Sequence, residues 1–434
     1  MNKNPQIYHG EWWVPAVADR NTRFVAMEPE QMMGHEKKYT GTLTYYGDKD
    51  STLELYHVPS TFHSKHYHQN DVIWGRDANG SIFTLFNVVI KEQRLEDFTN
   101  TKFVVGLILI GEHILSIDDK WSKKCVVHFP YLNNWLFYET KKYIAPTLNE
   151  TIYHLETALR GKALLEVELE KGLVWRLCHN IKVGETIEGI SINKTPYFEI
   201  ESSEPISIYS YLKQISEFEQ FLSIALYCDQ NFTDIQFLSI DARTTCILLL
   251  KKEASINPFL ISLIKYSLLK DKLPSMLGIW HKNFDRIAPI SSYLINSLQK
   301  KNQFDVPDFL IIAQALDGYH KRFVNKKDGR DVRKYEEQIE ILLNKFKSVK
   351  VLMQCKIKPE VLTDSRNYYS HLFPDEEIKS AVEGDDLYWL TEKCKILLTC
   401  CILNMLGLTN KEINLCCEQS PISQIIDSFP LEID

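Results

Sequence analysis

The chain has 434 residues, of which 44 % are hydrophobic and 25 % charged. That composition excludes a disordered chain and suffices for about two or three domains whose cores need no disulfide staples. The net charge of -7 excludes wholesale electrostatic capture of nucleic acid, so a phosphate-binding function must concentrate its Lys and Arg locally.

The opening residues lack a basic start followed by an apolar core. The longest apolar runs, near 103–111 and 396–408, fall short of the ~20 residues that span a bilayer. Ten cysteines include the adjacent pairs Cys400-Cys401 and Cys416-Cys417 in apolar, helix-like surroundings. Neighbouring cysteines rarely bond to each other, and buried free Cys behaves as a small hydrophobe. The expectation is a reduced, cytoplasmic protein that no membrane anchors.

From the N-terminus to about 207 the chain reads as β-rich. Tyr39 to Tyr46 predicts a strand, Gly47-Asp48-Lys49-Asp50 a turn, and Leu53 to Tyr56 a second strand. Asp77-Ala78-Asn79-Gly80 predicts a hairpin with Ile82 to Leu85 as its outgoing strand. Further strands are expected at Phe103 to Ile108 and Leu164 to Leu169. Several short strands separated by turns point to a sandwich or open barrel.

A mixed connector follows over 208–274. Leu212, Ile215, Phe218, Phe221 and Leu222 recur at helical spacing, and a hairpin is expected around Ile235 to Leu238 and Cys246 to Leu250. From 275 to 434 the pattern is helical. The expected helices are Ala288 to Leu298 with Pro289 near its start, 307–324, Glu336 to Phe346, and Asp385 to Leu406 stopped by Gly407. The fold class is therefore α+β: a β-rich N-terminal domain followed by an all-α helical bundle.

Chemistry concentrates in Thr363-Asp364-Ser365-Arg366-Asn367-Tyr368-Tyr369-Ser370-His371-Leu372-Phe373-Pro374. Thr363, Asp364 or Ser365 can cap a helix start and Pro374 marks its end, which predicts a short helix with Arg366 in the first turn. The free N–H groups and positive dipole end there favour a phosphate. Arg-x4-His places the two side chains roughly 140° apart on an ideal helix. Convergence then needs Arg366 to precede regular helical geometry, a two-fold dimer to assemble both copies around one groove, or both together.

The residue types suit RNA cleavage. The 2′-OH attacks the adjacent phosphate if a base removes its proton and an acid protonates the leaving 5′ oxygen, and histidine titrates near neutrality and can serve either step. Arginine binds phosphate in bidentate fashion and stabilises the added charge of the pentavalent state. Asn367 can orient His371 or hold a phosphate oxygen. This chemistry needs no cofactor or metal, and DNA lacks the nucleophile. Taken alone, the hexamer is a weak signal that recurs by chance in long chains, and a capped surface helix whose Arg and His face solvent is the plainer reading.

In this context, Arg366-Asn367-x-x-x-His371 before a long final helix resembles the HEPN superfamily, whose ribonuclease motif is Arg, four to six residues, then His. The closer resemblance is to ApeA-like proteins of bacterial anti-phage defence. Gly10-Glu11-Trp12-Trp13-Val14-Pro15 resembles the start of their N-terminal domain and Tyr39-Thr40-Gly41-Thr42-Leu43 its first Gly-x-Leu strand. Trp280 and Gln314-Ala315-Leu316-Asp317-Gly318-Tyr319-His320 resemble the beginning of the HEPN part. Asp317 stands where the family pattern has Glu. The resemblance implies a homodimeric abortive-infection endoribonuclease that cuts host RNA, tRNA among the candidates, when phage is sensed.

Other groups have weaker claims. His63, His66 and His68 form the best metal-like cluster, but no CxxC or HExxH accompanies them and a polar loop is the preferred reading. Lys321, Arg322, Lys326, Lys327, Arg330, Arg333 and Lys334 form the densest basic stretch and can follow an RNA backbone, although Asp328, Asp331, Glu336 and Glu337 dilute it. Gln314, Asp317 and His320 recur at spacing three and can share a helix face, from which Asp317 can orient His371, although a surface or helix-packing role is the stronger reading. Trp12-Trp13 reads as core. The competing function is a non-catalytic dimerising scaffold whose β-domain binds a phage or host protein.

Overall fold

The computed structural model of the protein describes residues 5–15, 37–59, 72–93, 98–137, 163–170, 172–186, 189–239, 244–251, 261–299, 306–324, 326–327, 330–332, 334–371, 380–418 and 420–430. His63, His66 and His68 lie outside them. Among the described residues no helix is long and apolar enough to cross a membrane.

Six antiparallel strands close into a barrel: β1 (Gln6–Trp13), β2 (Tyr39–Tyr45), β3 (Ser51–Pro59), β4 (Ile73–Asp77), β5 (Ile82–Gln93) and β6 (Phe98–Ile110). Their pairing runs β1–β2–β3–β6–β5–β4 and back to β1. The alternation read from the sequence is explicit in β2, where Tyr39, Gly41, Leu43 and Tyr45 are buried and the residues between them are not. The β4–β5 turn is held by Asp77, whose Oδ1 accepts from the backbone N–H of Asn79 at 2.9 Å and of Ser81 at 2.8 Å. Gly80 supplies the positive φ of 86°.

Trp12, Leu43, Leu53, Phe83, Leu85 and Phe103 fill the barrel. Trp12 leans so closely on the neighbouring strand that a Cβ on Gly75 would lie 2.1 Å from its ring. Trp12 and Trp13 are both core, at 0 % and 7 % exposure.

β6 is the strand shared by two sheet regions. Its first half pairs with β3, and Leu107 to Ile110 pair with β12 (Thr245–Leu250). From β12 the sheet continues through β11 (Asp234–Ser239), β7 (Ser122–His128), β10 (Gly189–Ile206), β9 (Leu173–Thr186) and β8 (Leu165–Glu168). β11 and β12 pair antiparallel as the expected hairpin, which is built into the sheet between β6 and β7. A short helix α1 (Leu132–Phe137) lies between β7 and β8 in the chain.

Helix α2 (Ile208–Leu226) crosses this second region. Ser207 caps its start, accepting from Ser210 N, and Tyr227 ends it in the left-handed conformation. Phe218 of α2 stacks on Phe198 of β10 with ring centroids 4.0 Å apart.

After a single turn α3 (Tyr266–Leu269), helix α4 (Leu273–Gln299) runs for 27 residues. The expectation of a helix beginning near Ala288 is corrected here: Pro289 lies inside α4. Its missing N–H removes one backbone bond, but the apolar face continues through it in Leu277, Trp280, Phe284, Ile287, Ile290 and Leu294, and that packing outweighs the local preference. The Trp280 indole donates to the Glu217 carbonyl at 2.8 Å, tying α4 to α2.

Beyond α4 come α5 (Val306–Tyr319), a π-helical turn (His320–Val324), and the two-residue strands β13 (Lys326–Lys327) and β14 (Arg330–Asp331). Then follow α6 (Tyr335–Lys345), α7 (Lys350–Cys355), α8 (Pro359–His371), α9 (Gly384–Met405), α10 (Asn410–Cys417) and α11 (Pro421–Asp427). α9 is the central helix, buried on nearly every side beyond its first turn, and Gly407 at φ 89° closes its C-terminus. All ten cysteines are free and buried. The architecture is α+β: a β-rich N-terminal region containing the closed barrel, then a helical C-terminal region.

Candidate active site

α8 carries Arg366, Asn367 and His371. It begins at Pro359, not at residues 363–365, because proline is well suited to a first helical position and Leu362 and Ser365 give the helix a buried edge. This corrects the expected geometry. Arg366 lies in the middle of a regular helix, away from the free N–H groups of the first turn, and His371 is its last residue. An irregular backbone at Arg366 is therefore not the route to convergence. Within one chain the two side chains leave the helix roughly 140° apart and roughly 7.5 Å apart along its axis.

α8 is stitched to the segment that leads into α9. Ser365 Oγ donates to the Val361 carbonyl at 2.7 Å and accepts from Val382 N–H at 3.1 Å. The Tyr369 hydroxyl donates to the Val382 carbonyl, and the Tyr368 hydroxyl to Glu383 Oε1, both at 3.1 Å. The Tyr369 ring packs edge-on against Phe309 of α5 at 6.2 Å. These bonds fix the rotation of α8 about its own axis.

That rotation lays Arg366 on α6. Its guanidinium sits 5.3 Å from the centroid of the Tyr335 ring, and Nη1 donates to Asn367 Oδ1 at 3.1 Å. Tyr335 is buried and its hydroxyl donates to the Ala313 carbonyl of α5 at 3.1 Å. Burial above all, then the neighbouring Cys394, pushes the Tyr335 phenol well up, Arg366 pulls it down, and Asp317 raises it again. Tyr335 is thus within electrostatic reach of both Arg366 and Asp317. The guanidinium keeps N–H donors beyond the one given to Asn367, in the planar fork that fits a phosphate. His371 is exposed at the helix end.

The other predicted residues divide. Asp317 Oδ2 accepts from Lys321 Nζ at 2.7 Å. Gln314, Asp317 and His320 do not share a solvent face: Gln314 is exposed, Asp317 half-buried and His320 fully buried in the π-helical turn, where the 3.6-residue period breaks. Among the described residues both His320 ring nitrogens lack a hydrogen-bond partner, and burial lowers its pKa against the opposing pull of Asp317 and Glu337. Lys321 and Arg322 are exposed. The backbone of Lys326–Lys327 pairs with Arg330–Asp331, while the side chains of these four residues lie outside the described set.

Tyr335 carried no signal in the sequence, because its role is a tertiary contact across two helices. A second polar cluster was equally hidden. A cavity of about 470 Å³ between the β-region and α4 is lined by Glu170, Lys213, Gln214, Glu217, Gly278 and His281, among others. His281 Nδ1 lies 2.6 Å from the buried Glu217 carboxylate. The bond to Glu217 raises the His281 pKa against the effect of burial, Glu217 and Glu170 add to the rise through their charges, and Lys213 opposes it. Among the described residues no group of three His, Cys, Asp or Glu is placed to hold a metal ion.

Comparison with known families accounts for both halves of the chain. Residues 7–280 match the family model of the ApeA N-terminal domain 1. The chain belongs to the ApeA family. Residues 310–412 match the Apea-like HEPN family, a span that contains most of α5, the π-helical turn and α8. This ApeA-like protein therefore carries a C-terminal HEPN domain, which implies a ribonuclease role in defence; HEPN domains typically dimerise and act on RNA. No curated protein and no solved structure matches the chain.

Proposed function

We propose that this ApeA-like protein is a metal-independent endoribonuclease of abortive-infection defence, cleaving host RNA, with tRNA among the candidate targets, by attack of a 2′-OH on the adjacent phosphate. His371 acts as general acid or base, Arg366 as phosphate and transition-state ligand, and Asn367 as its support. The observation that carries the proposal is the seat of Arg366. A guanidinium held between the Tyr335 ring and Asn367 Oδ1 is pre-positioned, with donors to spare, for a phosphate whose charge grows in the transition state.

The angular separation on α8 gives the dimer a chemical purpose. A two-fold axis beside α8 would bring Arg366 of one copy toward His371 of the other, completing a site that one helix leaves divided. The same proposal divides the chain by task. Residues 1–207 sense a trigger, for which a phage protein is the candidate, 208–274 connect, and 275–434 cleave. α4 then becomes the mechanical link, since Trp280 and Ser291 bond to α2 while Ser297 bonds to Asp308 of α5.

Expression in bacteria tests the proposal. The parent is expected to arrest growth, and His371→Ala and Arg366→Ala are expected to be harmless while folding normally. Equal behaviour of all three proteins would instead support the non-catalytic scaffold.

A further inference from the structure

We infer that the corner where α4 meets the π-helical turn is a platform for one nucleotide of single-stranded RNA, built by Arg286, Phe323 and Arg322; its choice of ligand rests on the ribonuclease reading. The corner is layered. Tyr319 is buried, and its ring stacks with that of Phe323 at 5.1 Å and 26°. The Arg286 guanidinium lies 4.6 Å from the Phe323 centroid, and Arg286 is exposed, so the guanidinium's outer face is available to a base. Arg322 reaches back from the π-helical turn and donates through Nη1 to the Arg286 carbonyl at 2.6 Å, which anchors it beside Arg286 and leaves its other donors unused by that bond.

The charge at this corner is uncompensated. Among the described residues neither Arg286 nor Arg322 is paired with a carboxylate. The two nearest candidates in sequence are taken: Asp285 pairs with Lys213 at 3.2 Å and Asp317 with Lys321 at 2.7 Å. Two unpaired guanidinium groups on a chain of net charge -7 mark the local concentration that an otherwise acidic protein needs to meet a phosphate. Lys282, one helical turn before Arg286, is exposed on the same side of α4.

The chemistry points to a single strand. A flat cation backed by an aromatic ring offers a base its stacking partner, and an adjacent guanidinium fork suits the neighbouring phosphate. A duplex keeps its bases stacked on one another and could use only the phosphate contact. The π-helical turn explains the placement. One extra residue per turn carries Arg322 and Phe323 off the α5 face and onto α4, and such turns recur at functional sites. The alternative is that Arg286 and Phe323 merely lock α4 to the turn.

The test uses full-length protein carrying His371→Ala, so that RNA survives, with a short fluorescent single-stranded oligoribonucleotide read by anisotropy across a KCl series. Arg286→Glu and Arg322→Glu are each expected to weaken binding by about tenfold, and Arg322→Glu, which loses the phosphate contact, to reduce the logarithmic salt slope by about 0.7. Phe323→Leu is expected to weaken binding about fivefold with the slope unchanged, because it removes stacking and no charge. Lys347→Glu, an exposed charge reversal elsewhere on the bundle, is the control and should stay within about twofold of the parent. Arg322→Gln, a milder change, should show the same loss of slope. The platform is overturned if all these variants match Lys347→Glu, or if the parent binds no RNA. It is separable from the nuclease reading: cleavage by His371-containing protein that ignores Arg286→Glu sinks the platform alone, whereas Arg286-dependent binding without any cleavage sinks the nuclease alone.

Discussion

Replacing Tyr335 separates the two jobs the structure gives it. Its ring supports the Arg366 guanidinium at 5.3 Å and its hydroxyl holds the Ala313 carbonyl at 3.1 Å. Tyr335→Phe removes only the second contact. A typical hydrogen bond contributes about 1 kcal/mol net, and the Ala313 carbonyl is a helix acceptor with another partner, so the loss should lie at or below that figure. Tyr335→Leu removes the ring as well. A cation–π contact to a half-buried guanidinium is worth about 1 kcal/mol, and the space left beside a smaller side chain adds roughly 2 kcal/mol of lost stability.

If the seat of Arg366 matters in the transition state, about 1 kcal/mol there slows RNA cleavage by about fivefold. Thermal unfolding and kcat/KM on one RNA, measured well below Tm, check this together. The expected result is a Phe variant within about twofold of the parent and a Leu variant slower by about fivefold or more. Equal rates for the two variants, both folded, would refute the claim that Tyr335 positions Arg366.

Three further outcomes follow from the packing. Lys395 is buried with Glu392 at 2.7 Å and Asp308 at 3.3 Å; Lys395→Met leaves two carboxylates without their cation and should cost about 3–5 kcal/mol, which the added changes Glu392→Gln and Asp308→Asn should largely restore in urea unfolding. Gly75→Ala drives a methyl into the rigid Trp12 ring, 2.1 Å away, and should lower stability by about 1–3 kcal/mol, seen as loss of barrel protection in hydrogen exchange. His281 has a raised pKa through Glu217, so its contribution is complete below the ordinary histidine value near 6.5 and fades as pH rises through the higher folded value; urea unfolding at several pH values should show that decline in the parent and a flatter profile in His281→Gln.

Strand positions that alternate cleanly were legible from residues alone. Tyr39 to Tyr45 and the Asp77–Gly80 turn needed only pleat periodicity and a glycine at positive φ. Closure of the barrel was not, because it depends on β3 pairing with β6 and β1 with β4, a choice among distant partners. The helices with one apolar stripe were legible too, and the start of α4 was missed because Pro289 suggests a beginning where tertiary packing carries the helix through. At the site, Arg366 and His371 stood out by type and context. Their placement did not: Thr363, Asp364 and Ser365 are good caps, yet Pro359 and the buried Leu362 start the helix a turn earlier. Tyr335, Arg286 and Phe323 left no pattern, since each acquires its role from a neighbour remote in sequence.

Cleavage of a defined RNA by purified full-length protein in excess chelator, with sequencing of the product ends, tests the central claim most directly. A 2′-OH nucleophile leaves a 2′,3′-cyclic phosphate and a free 5′-hydroxyl, an all-deoxy strand should survive, and His371→Ala or Arg366→Ala should abolish the products while a mixture of the two variants restores part of the activity across the dimer. Unchanged cleavage by both variants, or 5′-phosphate ends, would contradict the account.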